Sequence, residues 1–170
     1  MAVKKPIAIL GSSASHGKTW EALNLILSND TTPIIDLNQK QISPFDYGHN
    51  NRDDDFFSIM EEISNCDPLI LATPVYWYTM SCQMKMFLDR FSDLLSLKKN
   101  LGRTLRGKKM FVVSSFGTSM PKGFELPFSQ TAEYLGMSYL GCCYYYSGND
   151  EILLKENPAQ ITDAKKRIFG

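Results

Sequence analysis

Residues 11–19 (GSSASHGKT) combine the residue types that hold an anion. Small side chains let backbone amides converge on one point, and four hydroxyls in the segment add donors. The segment lies between an apolar run and a helical pattern, so its last amides would lie at a helix N-terminus, where negative charge is favoured. We therefore predict a phosphate-binding loop. Its candidate hydroxyl donors are Ser12, Ser13, Ser15 and Thr19.

Two alternatives for this segment stay open. A nucleotide P-loop needs G-x-x-x-x-G-K-[ST], and although Gly17-Lys18-Thr19 matches its end, Ser12 stands where the first glycine belongs. Such a loop also needs an acidic partner for magnesium at a strand end, for which Asp36 is a weak candidate. The other alternative is a turn without any ligand, because glycine and serine are ordinary loop residues.

Two further segments, 72–78 and 114–119, follow predicted buried strands. The first is aromatic and the second is rich in small hydroxyl residues. Aromatic rings there could pack against a neighbouring subunit or form a wall for a flat heteroaromatic ligand. Combined with a phosphate loop, such a wall favours a phosphorylated planar cofactor over an isolated anion.

Titratable groups for acid–base or metal chemistry are scarce. The histidines are His16 and His49, which offer little material for a Ser-His-Asp triad or a histidine-rich zinc site. The acidic triplet 53–55 precedes a helical pattern, and a helix start suits negative charge. We predict no metal site and no catalytic side chain, so that a cofactor carries the chemistry. The residues leave open whether His16 or Lys18 contacts the phosphate.

Five apolar runs alternate with helical patterns along the chain. We predict strands at 6–10, 32–37, 68–73, 108–114 and 137–146, and helices at 17–28, 56–63, 80–95, 125–135 and 157–169. This alternation predicts a doubly wound α/β sandwich of three layers around a parallel sheet. Ligands of such sheets bind beyond the carboxyl ends of the strands, where the loops described above fall.

Local patterns give three further interpretations. Asn157-Pro158 is a cap residue followed by a first-turn proline, so the last helix is expected to start there. Asp89-Arg90 is interpreted as a structural or interface ion pair. Cys142 and Cys143 are interpreted as buried, inert thiols in the fifth strand.

Length and composition exclude several classes of protein. A chain of 170 residues suits one domain, which we expect to span 1–170. With 44% hydrophobic and 21% charged residues, disordered, collagen-like and coiled-coil classes are disfavoured. The formal net charge of zero offers no field for nucleic acid or an anionic membrane, and no apolar run is long enough to span a bilayer. Four cysteines without C-x-x-C spacing favour the cytoplasm.

Over essentially its whole length, the chain resembles the small flavodoxin-like NAD(P)H-dependent FMN oxidoreductases. The resemblance rests on Gly11-Ser12-Ser13 with Gly17 and Thr19, on residues 72–77 followed by Lys85 and Asp89-Arg90, and on 107–109 (GKK). It implies a five-stranded parallel sheet in the order 2-1-3-4-5. It also implies that the first loop holds the FMN phosphate, with contacts from Ser13, Ser15, Gly17, Lys18 and Thr19. The ring contacts that it implies are Pro74, Val75, Tyr76 and Trp77 along the isoalloxazine ring, with Ser115, Phe116 and Gly117 completing the pocket.

The same resemblance implies an FMN-dependent enzyme that takes hydride from NADH or NADPH and reduces a quinone-like or other small acceptor. It implies a homodimer or homotetramer. One alternative is a flavodoxin-type electron carrier, although flavodoxins are strongly acidic and this chain is neutral. Another is a related domain that has lost flavin and acts through protein contacts.

Two departures from the family pattern are visible. Ala14 stands where many relatives have an arginine, and Lys18 could supply the missing charge. Only Cys66 lies between the second and third strands, where the iron-sulfur branch carries clustered cysteines, so no cluster is expected.

Overall fold

The computed structural model describes residues 4–28 and 31–170. Within that part of the chain, the strands are β1 (Ile7–Leu10), β2 (Ile34–Asp36), β3 (Leu69–Pro74), β4 (Lys109–Phe116) and β5 (Ser138–Tyr146). They form one parallel sheet in the order β2-β1-β3-β4-β5. The flavodoxin-like sheet expected from the sequence is confirmed.

Helices cover both faces of this sheet. They are α1 (Lys18–Leu27), α2 (Phe56–Ser64), α3 (Cys82–Asp89), α4 (Asp93–Ser96), α5 (Lys99–Arg103), α6 (Leu126–Tyr134) and α7 (Glu151–Phe169), with 3₁₀ turns at Leu37–Gln39 and Arg90–Ser92. Apolar residues of α1 and α7 pack on one face, and those of α2, α3, α4 and α6 pack on the other. The three-layer arrangement is therefore confirmed. No helix in the described ranges is both long and apolar enough to cross a membrane.

The register of the central strands brings three loops together. Leu10 of β1 pairs with Ala72 of β3, and Ala72 pairs with Val113 of β4. Since the strands are parallel, the segments that follow them leave the sheet at one edge. Every residue of β1 and β3 is buried, because helices cover both faces, and this explains their continuous apolar sequence.

The last helix begins earlier than predicted. It starts at Glu151, and the Asp150 carboxylate caps it by accepting from the backbone N–H groups of Ile152 and Leu153. Asn157 instead lies inside α7, where its carboxamide accepts from the backbone N–H of Tyr146 and donates to the Tyr146 carbonyl, both at 2.8 Å. The predicted start at Asn157-Pro158 was wrong because Asn157 completes the end of an edge strand rather than a cap.

The predicted helix over 80–95 is interrupted. A 3₁₀ turn at Arg90–Ser92 separates α3 from α4 and tightens the chain. Met84, Phe87 and Phe91 remain in the core, but Leu95 is 46% exposed. The spacing of apolar residues over 80–95 predicts Leu95 on the buried face of the helix, and this prediction was wrong.

Asp89 and Arg90 do not form the predicted pair with each other. Asp89 is exposed and its carboxylate accepts from Lys85 Nζ at 2.5 Å, a pair one helical turn apart. Arg90 is completely buried. Adjacent residues of a helix point in different directions, so Asp89 faces solvent while Arg90 enters the core.

Arg90 is the centre of a buried polar cluster. Its Nε donates to Asp93 at 2.6 Å and its Nη1 donates to Asp54 at 2.5 Å, while the guanidinium lies 4.7 Å from the centre of the Phe56 ring. Asp93 also lies 3.0 Å from His49 Nδ1. Asp54, from the acidic triplet, accepts from the backbone N–H of Phe56 at the start of α2. The cluster thus ties the loop before α2 to the 3₁₀ turn Arg90–Ser92 and to α4.

Strand β5 carries an irregularity just before Cys142 and Cys143, which pack on opposite faces of the sheet, as successive residues of a strand do. Met110 and Val112 of β4 pair with Tyr139 and Cys142, so β5 holds one extra residue, and Gly141 there has a φ of 106°. Cys143 is buried, whereas Cys142 is only partly buried. Desolvation raises the pKa of both thiols.

Candidate functional site

The loop after β1 passes close to the start of α3. The Gly11 N–H donates to the Ala72 carbonyl at 2.8 Å. A Cβ at position 11 would come within 2.9 Å of the Met84 Cβ and 3.0 Å of the Met84 backbone nitrogen, so a side chain would displace α3. Glycine is therefore required at this crossing. Ser81, the N-cap of α3, secures the contact by donating to the Gly11 carbonyl at 2.6 Å.

The N-terminus of α1 is open to an anion. Its N-cap, Gly17, is extended, and no side chain in the described part of the chain caps the helix. The first backbone N–H groups of a helix have no acceptor within the helix, and the dipole makes this end positive. Loop and helix start therefore fit the phosphate of a cofactor such as FMN.

Lys18 and His16, whose contact with the phosphate the sequence left open, each contact another side chain near this helix start. Lys18 Nζ lies 2.7 Å from Glu21, one turn along α1. The Lys18 ammonium and the Tyr145 hydroxyl hold the pKa of the Glu21 carboxyl below its ordinary value. The His16 ring packs edge-on against Trp20, with 5.0 Å between ring centres. Contact of Lys18 or His16 with a phosphate stays a prediction.

The serines of the loop differ in exposure and partners. Ser12 is buried, and its Oγ accepts from the Ala14 backbone N–H at 3.3 Å. Ser13 is exposed and Ser15 is half-buried. Both oxygens lie within hydrogen-bond distance of carboxamides: Gln83 Nε2 at 3.2 Å from Ser13, and Asn38 Nδ2 at 3.5 Å from Ser15.

The sequence analysis did not single out Asn38 and Gln83, whose carboxamides contact the serines of this loop. Asn38 lies two residues beyond the end of β2, and Gln83 lies in the first turn of α3. The position of Asn38 carried a usable signal, because β2 ends at the same edge of the sheet as β1. No pattern in the neighbouring sequence distinguishes Gln83, because its contact with Ser13 depends on how α3 packs against the loop.

Thr19 and Ser115 connect the first loop to the third segment. Both are buried, and their hydroxyl oxygens lie 2.7 Å apart. The Ser115 carbonyl also accepts from the Val75 N–H at 2.8 Å. These two residues thus bring the three predicted segments into direct contact.

The second segment forms a strained turn. Tyr76 and Thr79 exchange backbone hydrogen bonds of 2.9 and 3.1 Å, and between them Trp77 and Tyr78 have φ values of 48° and 67°. Two positive φ values favour glycine or asparagine, and each costs another residue type about 1–2 kcal/mol. The rings gain little burial in return, since Trp77 is 93% exposed and Tyr78 is 63% exposed.

The second and third segments face each other across a cleft of about 230 Å³. Its lining comprises Val75, Trp77, Tyr78, Phe116, Gly117, Thr118 and Ser119. Pro74 is buried within β3, and Tyr76 is half-exposed outside this lining. Within the described chain, the cleft lining contains no histidine, aspartate or glutamate. Such a cleft suits a flat, largely apolar ring system.

Two curated proteins are similar to this chain. YwqN of Bacillus subtilis (strain 168), named as an NAD(P)H-dependent FMN-containing oxidoreductase, is 36% identical over 115 residues, which cover 64% of this chain and 60% of YwqN. The iron-sulfur flavoprotein MJ1083 of Methanocaldococcus jannaschii is 33% identical over 116 residues, covering 61% of this chain and 58% of its own length. The matched region thus spans about three fifths of each relative.

A solved structure and a family model match more of the chain. The structure of the Trp repressor binding protein from Bacillus subtilis superimposes with a TM-score of 0.74 over 98% of both chains, at 26% identity. The model of the NADPH-dependent FMN reductase family matches residues 5–151, which include all three segments of the site. The resemblance noted in the sequence is confirmed, and the chain belongs to the NADPH-dependent FMN reductase family.

Proposed function

We propose that this chain is an FMN-dependent oxidoreductase that takes hydride from NADH or NADPH and reduces a quinone-like or other small acceptor. The observation that carries the proposal is the uncapped N-terminus of α1 and its hydroxyl-rich loop beside an aromatic cleft at one sheet edge. Family membership and the name of YwqN support the same reaction class. The acceptor is inferred from the resemblance alone.

The residues present fit FMN at both ends. The first-turn amides of α1 would bind its phosphate, with side-chain or backbone contacts from Ser12, Ser13, Ser15, Gly17, Lys18 and Thr19. The ring would lie against the aromatic turn and the end of β4, in contact with Pro74, Val75, Tyr76, Trp77, Ser115, Phe116 and Gly117. When bound, FMN supplies the capacity to accept hydride and release electrons.

The protein's own contribution is binding and orientation. Among the residues that the structure describes, the lining of the cleft contains hydroxyls and aromatic rings but no histidine or carboxylate. We therefore assign no side chain to proton transfer. Phe116 is buried and packs against Tyr146, with 5.3 Å between ring centres, which gives the cleft a rigid wall.

The working form that we propose is a homodimer or homotetramer of single-domain chains in the cytoplasm. Trp77, Tyr78 and Tyr76 expose aromatic surface at the mouth of the cleft, and a second copy would cover it. The four cysteines are free thiols, which suits a reducing compartment. Light scattering of the protein as it elutes from a size-exclusion column measures the molar mass of the assembly. A monomeric mass would contradict the proposed homodimer or homotetramer.

The reaction is tested by the visible spectrum of the protein with FMN, followed by anaerobic addition of NADPH and then NADH. We expect a bound flavin spectrum that bleaches with at least one nucleotide. Bound flavin that stays oxidised would indicate a flavodoxin-type carrier. Failure to bind FMN would favour a domain that acts through protein contacts and would overturn the cofactor assignment.

A further inference from the structure

We propose that Asn38 and Gln83 are positioning residues of the phosphate loop, residues 11–17. Their carboxamide N–H groups donate to the loop serines, which leaves the serine hydroxyl hydrogens free to donate to a phosphate. The inference rests on the proposed function, because it takes the loop to hold the phosphate of FMN.

Asn38 is held in place from its own side of the sheet. It lies in the 3₁₀ turn Leu37–Gln39 after β2, where the Asp36 carboxylate accepts from its backbone N–H at 2.9 Å. From there its Nδ2 donates to the Ser12 carbonyl at 2.5 Å and lies 3.5 Å from the Ser15 Oγ. One carboxamide therefore contacts both the beginning and the middle of the loop.

Gln83 reaches the same loop from the opposite side. The residue lies in the first turn of α3, whose N-cap Ser81 also binds the Gly11 carbonyl. Gln83 Nε2 donates to Ser13 Oγ at 3.2 Å and lies 3.5 Å from Asn38 Oδ1. The two carboxamides thus link the loop to β2 and α3, segments far apart in the sequence.

The direction of these hydrogen bonds determines what the serines offer. A hydroxyl has one hydrogen to donate and can also accept. When a carboxamide N–H donates to the serine oxygen, the hydroxyl hydrogen stays available for an anion. A carboxylate at position 38 or 83 would do the reverse, since it accepts from the hydroxyl and adds negative charge beside the phosphate. The loop therefore favours an amide at both positions.

The first experiment compares FMN with riboflavin, which lacks the phosphate. Dissociation constants are measured by flavin fluorescence for the wild type, Asn38→Asp and Gln83→Met, with thermal unfolding as a check on folding. Asn100→Asp, on α5 beside Arg103, is the matched control. We expect Asn38→Asp to weaken FMN by about ten-fold or more, riboflavin by no more than about two-fold, and the control to change neither.

The second experiment asks whether Gln83 acts through Ser13. FMN affinity is measured for Gln83→Met, Ser13→Ala and the double variant. We expect the double variant to bind about as well as Ser13→Ala alone, because the hydroxyl that Gln83 orients is already gone. Additive losses would overturn the positioning role.

Other results also decide the matter. Equal weakening of FMN and riboflavin would show that the two residues only support the fold, and unchanged affinities would show that they do not position the loop. If the wild type binds FMN in either case, only this inference fails. If the wild type does not bind FMN, the proposed function fails with it.

Discussion

The hydroxyl oxygens of Thr19 and Ser115 lie 2.7 Å apart and join the first turn of α1 to the end of β4. Both side chains are buried, so each satisfies the other's need for a partner. A pair of hydroxyls uses one hydrogen between them and retains one. The pair therefore links the phosphate loop to the aromatic cleft and can still donate to a third group.

Replacing Thr19 by valine should destabilise the fold, because the Ser115 hydroxyl would be left buried without this partner. We expect the free energy of unfolding to fall by about 1–3 kcal/mol in urea titrations. Thr19→Ser, which keeps the hydroxyl, is the control and should stay close to the wild type. A valine variant as stable as the wild type would contradict the importance of this contact.

Removing two loop hydroxyls should weaken FMN binding. The double variant Ser15→Ala with Thr19→Val is expected to lose about 1–3 kcal/mol of FMN affinity, measured by fluorescence titration. The matched control is Ser129→Ala with Thr131→Val on α6, which packs against β5. Unchanged FMN affinity in the loop variant would show that the phosphate binds elsewhere.

Removing the Arg90 guanidinium should be among the most damaging single changes to stability. Arg90→Met leaves the Asp54 and Asp93 carboxylates buried beside an apolar side chain, and we expect a loss of about 3–5 kcal/mol in the free energy of unfolding. Lys85→Met breaks the exposed pair with Asp89 and should cost no more than about 1 kcal/mol. Similar urea midpoints for the two variants would disprove the distinction between them.

A substitution in the aromatic turn should change the interaction with flavin without lowering the stability of the fold. Trp77→Asn places a residue that tolerates positive φ at this position and sacrifices little packing, since Trp77 is exposed. We expect the free energy of unfolding to stay the same or rise by up to about 1 kcal/mol, while flavin fluorescence or turnover changes. If neither flavin property responds, Trp77 does not contact the ring.

Cys143 should make the protein less stable in alkali. Burial raises the pKa of its thiol from 9.0 to about 12, so the folded chain keeps this proton where the unfolded chain has lost it. The stabilisation is therefore complete below about pH 9 and is lost as the pH rises towards 12. Urea unfolding at pH 7.5 and 10.5 measures it, and Cys143→Ala should reduce the alkaline loss. An identical loss in the variant would assign the effect to other groups.

Much of the fold was predictable because its determinants are local. Strands buried on both faces need continuous apolar runs, and these runs predicted β1 and β3 closely. Because the strands are parallel, the loops after β1, β3 and β4 then leave the sheet at one edge. The start of α7 was mispredicted because Asn157-Pro158 matches a local cap pattern, while the residue serves Tyr146 instead.

The sequence by itself determined the alternation of strands and helices, the small, hydroxyl-rich composition of the first loop and the aromatic composition of the second. Only the tertiary structure decided which side chains meet. Arg90 finds Asp54 across 36 residues, and Gln83 reaches Ser13 across 70. Backbone conformation follows from neighbouring residues, but a hydrogen bond between distant segments depends on how whole helices pack, which no local pattern encodes.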